Sequence, residues 1–310
     1  MTRALAGTAA SLLLIAGLSL VVRPLLLKAP LDIRLDLRSS GAATVLDRAT
    51  GRPVAGTFLQ ASSVRSHLRG GSRAGSATTA AYDQVSQSSI DGRVLATSRV
   101  TQAFDRSTGA GRPGRQGDQL GTIAHVFKLP FGTRRRTYPV WDETARKAVD
   151  LDYAGDAVVG GLPVYVFHRD VAPTDLGPLP VFGAVPAAWL GLPGRGSVPV
   201  HEWYENRDST LYVEPVTGSF VGGASSPHLW AQTQDGRRLD LLTVTAATPV
   251  PAASERLVRA ARHARDQVLL LRRTPWLLGT AAVVLLALAG GLHRRGSSRV
   301  DHRLPVAEQG

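Results

Sequence analysis

The stretch TYPVWDETARKAVDLDYAGDAVVGGLPVYVFHRD, Thr137–Asp170, carries the reading of the fold. Asp156 to Phe167 predicts two strands joined at Gly160-Gly161, because apolar residues alternate on either side of a pair that tolerates positive φ. Leu162, Val164 and Val166 fall on one face, and Pro163, Tyr165 and Phe167 on the other. Both faces are apolar, so this strand is expected to be central and covered on each side. Upstream, Trp141-Asp142-Glu143-Thr144-Ala145 reads as a turn in which the Asp142 carboxylate accepts backbone hydrogen bonds.

Similar signals extend outward. LDIRLDLRSS alternates Leu31, Ile33, Leu35 and Leu37 against charged residues, the pattern of a strand with one wet face. Asp47-Arg48-Ala49-Thr50-Gly51, Asp105-Arg106-Ser107-Thr108-Gly109 and Glu214-Pro215-Val216-Thr217-Gly218 repeat an acid followed four residues later by Gly, suited to hairpin connections. Val85–Ala103 reads as strand material around an Asp91-Gly92 turn, and His125–Phe131 as a short strand ending at Pro130. Further strands are expected at Val198–Glu205, Ser209–Glu214 and Arg237–Ala246. Ser66–Thr79, Gly109–Gly121 and the Pro-rich Val171–Gly196, with Phe182, Trp189 and Leu190, read as loops.

Two uncharged windows bracket this region. Residues 4–22 and 274–292 each have nineteen residues, about 28 Å as helix against a hydrocarbon core of about 30 Å. Arg3 before the first window also suits a signal peptide, but no clean small-x-small cleavage site follows, so an uncleaved anchor is expected. The segment 254–273 places Leu257, Ala261, Ala264, Val268 and Leu271 at helical spacing. That helix either packs on the domain or runs on toward the second span.

The division expected is therefore a cytoplasmic terminus at 1–3, a transmembrane helix at 4–22, an extracytoplasmic β-rich domain at 23–253, a juxtamembrane helix at 254–273, a second transmembrane helix at 274–292 and a cytoplasmic tail at 293–310. The fold class is mainly β: an antiparallel sheet, as a sandwich or curved half-barrel, between terminal transmembrane helices of a two-pass cell-membrane protein. Basic residues flank both windows, so the positive-inside rule barely orients the chain.

The formal charge of +12 is concentrated beside the apolar windows, where it suits anionic lipid headgroups. No basic stripe interleaved with aromatics forms a nucleic-acid platform. The chain has no Cys, which excludes thiolate nucleophiles, disulfides and Cys-ligated metals. His201-Glu202 lacks zincin spacing, and Ser197 and Ser219 lack a nucleophile elbow. His125, His168 and His201 would need to converge with Asp170 or Asp142 to hold a metal. Neither a metal, a cofactor nor an enzymatic activity is expected.

KLPFGTRRRTYPVWDETARKAVDLDYAGDAVVGGLPVYVFHRDV, followed by EWYENRDSTLYVEPVTGSFV, resembles the DUF3068 family of actinobacterial membrane proteins, also catalogued as the porin PorA family. The resemblance rests on Pro130-Phe131, Tyr138-Pro-x-Trp-Asp142, Gly161-Leu-Pro-Val-Tyr-x-Phe167 and Val213-Glu-Pro-x-Thr-Gly218. It implies a large outer domain between two spans. It also implies a cysteine pair after Ala103-Phe104-Asp105-Arg106-Ser107-Thr108-Gly109, which this chain lacks.

Two functions follow. The first is a non-enzymatic, membrane-anchored cell-envelope protein whose outer domain binds an envelope lipid, glycan or membrane protein, with Tyr138, Trp141, Tyr165, Phe167, Trp203, Tyr204 and Tyr212 lining a groove or else filling a core. The second is an oligomeric channel or transport accessory. Helix-length spans and Pro-interrupted strands argue against an outer-membrane barrel, so a pore would require several copies of the helices. Ala281, Ala282, Ala287, Ala289 and Gly290 permit that close packing. The partners expected are the lipid bilayer and further copies of the chain.

Overall fold

The computed structural model describes residues 2–29, 34–68, 78–112, 124–126, 128–180, 183–194 and 196–297. Two compact units result, Ala29–Arg265 and a helical unit of Met1–Lys28 with Asp266–Gly310.

The larger unit is built on one twelve-stranded sheet. Its strands are β1 (Arg34–Asp47), β2 (Arg52–Leu68), β3 (Thr79–Ile90), β4 (Arg93–Asp105), β5 (Gly111–Arg112), β6 (Tyr138–Asp142), β7 (Lys147–Val159), β8 (Leu162–Pro178), β11 (His201–Glu214), β12 (Ser219–Ala224), β13 (Pro227–Gln232) and β14 (Arg238–Pro249). A separate ribbon pairs β9 (Ala184–Pro186) with β10 (Ser197–Pro199). The strand order is β5-β4-β3-β2-β1-β14-β13-β11-β8-β7-β6, with β12 paired to β11, and every pairing is antiparallel. Of the two forms expected, sandwich and half-barrel, the half-barrel is the one found.

The curled sheet is bridged edge to edge at one point. His125 pairs with Ala110 beside β5 and with Val140 of β6. Gly111 N donates to Ala124 O and Val126 N to Gly109 O on one side; His125 N donates to Pro139 O and Trp141 N to His125 O on the other. The expected strand at 125–131 is thus reduced to this clasp. Pro130 cannot donate to a ladder, and the chain turns at Phe131-Gly132.

The repeated acid-to-Gly segments close three of the hairpins, β1–β2, β4–β5 and β11–β12. Asp47 accepts Ala49 N, Asp105 accepts Ser107 N and Thr108 N, and Glu214 accepts Val216 N and Thr217 N. In each, the Gly N–H returns to the acid's own carbonyl. Asp142 repeats the device, accepting Thr144 N and Ala145 N as expected, with Arg146 at φ +52° in the glycine place. Gly218 is compelled, because a Cβ there would lie 2.0 Å from Leu129 O.

Other expectations need correction. Val171–Gly196 is not a single loop: β8 runs through to Pro178, and β9 and a 3-10 turn at Ala187–Leu190 follow. Pro and Gly interrupted the alternation because β8 is bulged where it meets β11. The two strands expected around Asn206 are one, β11, with register shifts between Tyr204 and Ser209. The expected loop at 66–79 yields Ser66–Leu68 to β2 and Thr79 to β3; residues 69–77, like 113–121 and Phe182, lie outside the described residues.

The core clusters lie on the inner face. Leu129, Tyr138, Val140, Leu151, Phe167, Tyr204 and Val213 fill the β6–β8–β11 side, Val64, Tyr82 and Phe104 one end of β2–β4, and Phe58, Ile90, Ala43 and Val244 the other end. On the outer face, Leu162, Val164 and Val221 receive Val258 and Ala261 from helix α2 (Pro251–Ser297). β8 is therefore apolar on both faces because a core covers one and a helix the other. Arg262 Nη2 ties the helix to Gly160 O at 2.7 Å, and Arg265 Nε lies 3.7 Å from the fully buried Glu214.

In the helical unit, α1 (Thr2–Leu26) and the rest of α2 bury Ala9 and Ala16, and Ala282 and Ala289, each pair seven residues apart. The apolar stretch of α2 up to Gly290 is long enough to cross a membrane. The 254–273 segment is continuous with it in a single helix.

Candidate functional site

The interior of the half-barrel is the concave region that the fold builds, and its wall is not uniform. Cross-strand partners share a face, so the register assigns the inner side chains directly. Three successive inner rows cross β1 to β4: Leu35–Val64–Gln84–Val100, Leu37–Ser62–Ser86–Ser98 and Ser39–Gln60–Ser88–Ala96. Seven of these twelve residues are uncharged and polar. They lie between the apolar cluster around Phe104 and that around Phe58.

Ser62 and Ser86 are buried and share a hydroxyl hydrogen bond of 2.8 Å, and Gln84 Nε2 donates to Ser86 Oγ at 2.9 Å. Nearer the clasp, Tyr82 donates to Gln102, whose amide reaches Glu143 on the β6–β7 turn. The polar wall arises because serine and glutamine alternate with outward residues along β3, a signal hidden in the run Gln84 to Ser89.

The opposite wall is apolar and aromatic. Tyr138 meets His125 and Phe167 edge-on at 5.7 and 6.1 Å, and Tyr153 meets Phe167 and Tyr165 at 5.9 and 5.6 Å. Tyr138, Phe167 and Tyr204 are core residues, with Tyr165 partly buried against them. Burial, aided by the Asp142 charge, pushes the Tyr204 phenol up to about 12. The other expected aromatics lie elsewhere. Trp203 stacks on Trp230 at 6.1 Å on the outer face, Tyr212 packs in the cluster under α2, and Trp141 neighbours the clasp. The seven aromatics therefore do not form one groove.

The clasp concentrates buried charge. Lys128 lies with its Nζ 3.6 Å above the Phe131 ring, and burial, only partly opposed by Asp105, pulls its ammonium down to about 7. Burial also lowers His125, whose Nδ1 has no hydrogen-bond partner among the described residues. Burial raises Asp105, but Ser107, Arg112 and the turn N–H groups outweigh it and hold the carboxyl far below the usual range.

At the far end, β9, β10 and the turn between them pack Val185, Trp189 and Leu190 against Val200, Ala231, Leu239 and Leu241. Trp189 rests on the β1–β2 turn, where a Cβ on Gly51 would be 2.2 Å from its ring. The excursion thus lies over the inner face near that turn.

The histidines do not converge. His201 pairs with Asp175 at 2.8 Å, Asp170 accepts Asp208 N, and Asp142 serves its turn and faces Arg169 at 3.4 Å. Among the described residues no three His, Asp or Glu side chains are placed to hold a metal ion.

Against known proteins, the family profile described as Porin PorA matches residues 3–291. The chain belongs to the porin PorA family. A curated Porin PorA of Corynebacterium amycolatum is 23% identical over 130 residues, 35% of this chain and 33% of that protein. A second, of Corynebacterium resistens, is 40% identical over 52 residues, 17% of this chain and 13% of that protein. The chain thus aligns with a third or less of the length of these relatives. The match covers nearly the whole chain and agrees with the resemblance carried by the quoted motifs.

Proposed function

We propose that the chain is an oligomeric transport component of the cell envelope, anchored by its helices and carrying the half-barrel outside the bilayer. The observation that carries this reading is the polarity of the sheet. Its inner face holds the apolar clusters, while the outer face carries Asp36, Arg38, Asp83, Arg99, Asp152, Arg207 and Asp240. A membrane-spanning barrel requires the reverse, an apolar band toward lipid. A route across the bilayer therefore falls to the helices.

The α2 surface supports this. Trp276, Leu277, Val283, Val284, Leu286 and Leu288 are exposed, which suits lipid or a neighbouring copy. In this reading α1 is the second span, both termini are cytoplasmic and the β-domain is extracytoplasmic. The test is the full chain purified in mild detergent and reconstituted in a planar bilayer. Stable oligomers with stepwise conductance are expected. A monodisperse monomer that leaves the bilayer sealed refutes the reading.

A further inference from the structure

A buried polar group is costly without a partner, whereas one that water reaches keeps its hydrogen-bonding capacity free for a ligand, and the inner rows of β1 to β4 hold both kinds. Ser62, Ser86 and Gln84 satisfy one another, but Ser39, Gln60, Ser88 and Ser98 make no side-chain hydrogen bond among the described residues. None of the four is buried, and Ser98 is exposed, so this part of the wall is open to solvent from within.

We propose that this wall is a binding site for a neutral, hydroxyl-bearing ligand, a sugar or the sugar headgroup of a glycolipid. Four features select that chemistry. The belt offers hydroxyl and amide groups, which both donate and accept, as a ligand hydroxyl does. It contains no charge, so it has nothing to compensate an anion or cation brought in from water. The half-buried Leu211, Phe220 and Leu229 supply the opposite wall with the apolar surface that sugar C–H faces require, whereas the Tyr165 ring beside them is covered by Arg135. The Phe104 and Phe58 clusters close the belt at each end along the strands, bounding it to three rows.

The outer face carries a rival cavity of about 460 Å³, lined by Asp36, Arg38, Ser62, Ser63, Gln87 and Arg256 among others. Its charged lining suits an ionic ligand and distinguishes it from the inner belt. Ser86 and Gln60 do not line that cavity and Ser63 lies on its side of the sheet, which makes Ser63 the outer control.

This site goes beyond the transport reading and does not depend on conduction. The full chain in phosphatidylcholine nanodiscs is titrated calorimetrically with neutral mono- and disaccharides, with glucuronate as the charged counterpart. Neutral sugar should bind and glucuronate should not. Gln60→Leu and Ser86→Val should each weaken binding about fivefold, the loss of one hydrogen bond, while Ser63→Val leaves it unchanged. Thermal melts verify folding, and Ser98→Val replaces Ser86→Val if the latter unfolds. No heat with any neutral sugar, equal binding of glucuronate, or weakening by Ser63→Val alone overturns the proposal. Sugar binding by a chain that conducts nothing refutes transport and leaves this site standing.

Discussion

Single residues at the turns and the clasp carry consequences out of proportion to their size. Gly218 sits at φ +75° with a carbonyl where a Cβ would go, so Gly218→Ala should cost about 2 kcal/mol or more in chemical unfolding. Glu214 is wholly buried, and its carboxylate serves two backbone N–H groups and the Thr217 hydroxyl. Glu214→Ala leaves those donors unpaired and should cost about 1–3 kcal/mol. Lys128 works in the other direction. Its ammonium titrates near 7 when folded against an ordinary 10.5, so between those values the unfolded chain binds more protons. Stability should therefore fall as pH drops from about 10 to 7. Lys128→Met should melt higher at pH 7 than the native chain and lose that dependence, as read by melting temperature against pH.

Elements explain how twelve strands stay curled. The clasp closes the sheet with four backbone hydrogen bonds around residues 124–126, and it is the place where non-neighbouring edges meet. Replacing His125 by proline removes the donation to Pro139 O. Hydrogen exchange should then quicken at Gly111, Val126 and Trp141 while β1–β2 stays protected, since that pair is laddered along its whole length. Exchange accelerated equally across every strand would instead mean that the clasp is integral to the global fold. The hairpins at Asp47, Asp105, Asp142 and Glu214 were legible in sequence because each rests on a local side-chain-to-backbone bond. The merged β11 and the extended β8 were not, because bulges interrupt the period that marks a strand and only pairing partners hold it in line.

For the whole molecule, the charged outer face of the half-barrel is incompatible with immersion in lipid. Single cysteines at Asp235, on the β13–β14 turn, and at Ser297, at the end of α2, test the arrangement in intact cells against a cysteine-free background. Labelling at 235 and not at 297 is expected; the reverse pattern, or labelling at both, contradicts the topology. Composition, the two apolar windows and the alternating segments determined by themselves that this is a β-rich membrane protein, because length, charge and period are properties of the chain alone. The quoted motifs identified its family for the same reason. Tertiary structure alone decided which aromatics fill the core, which lie outside, and that Ser62, Ser86 and Gln60 share an inner wall. Turns set the register within the β1–β2 and β3–β4 hairpins, but which face of these strands lines the interior, and which residues lie across from it, depends on how the sheet curls and where the clasp joins its edges.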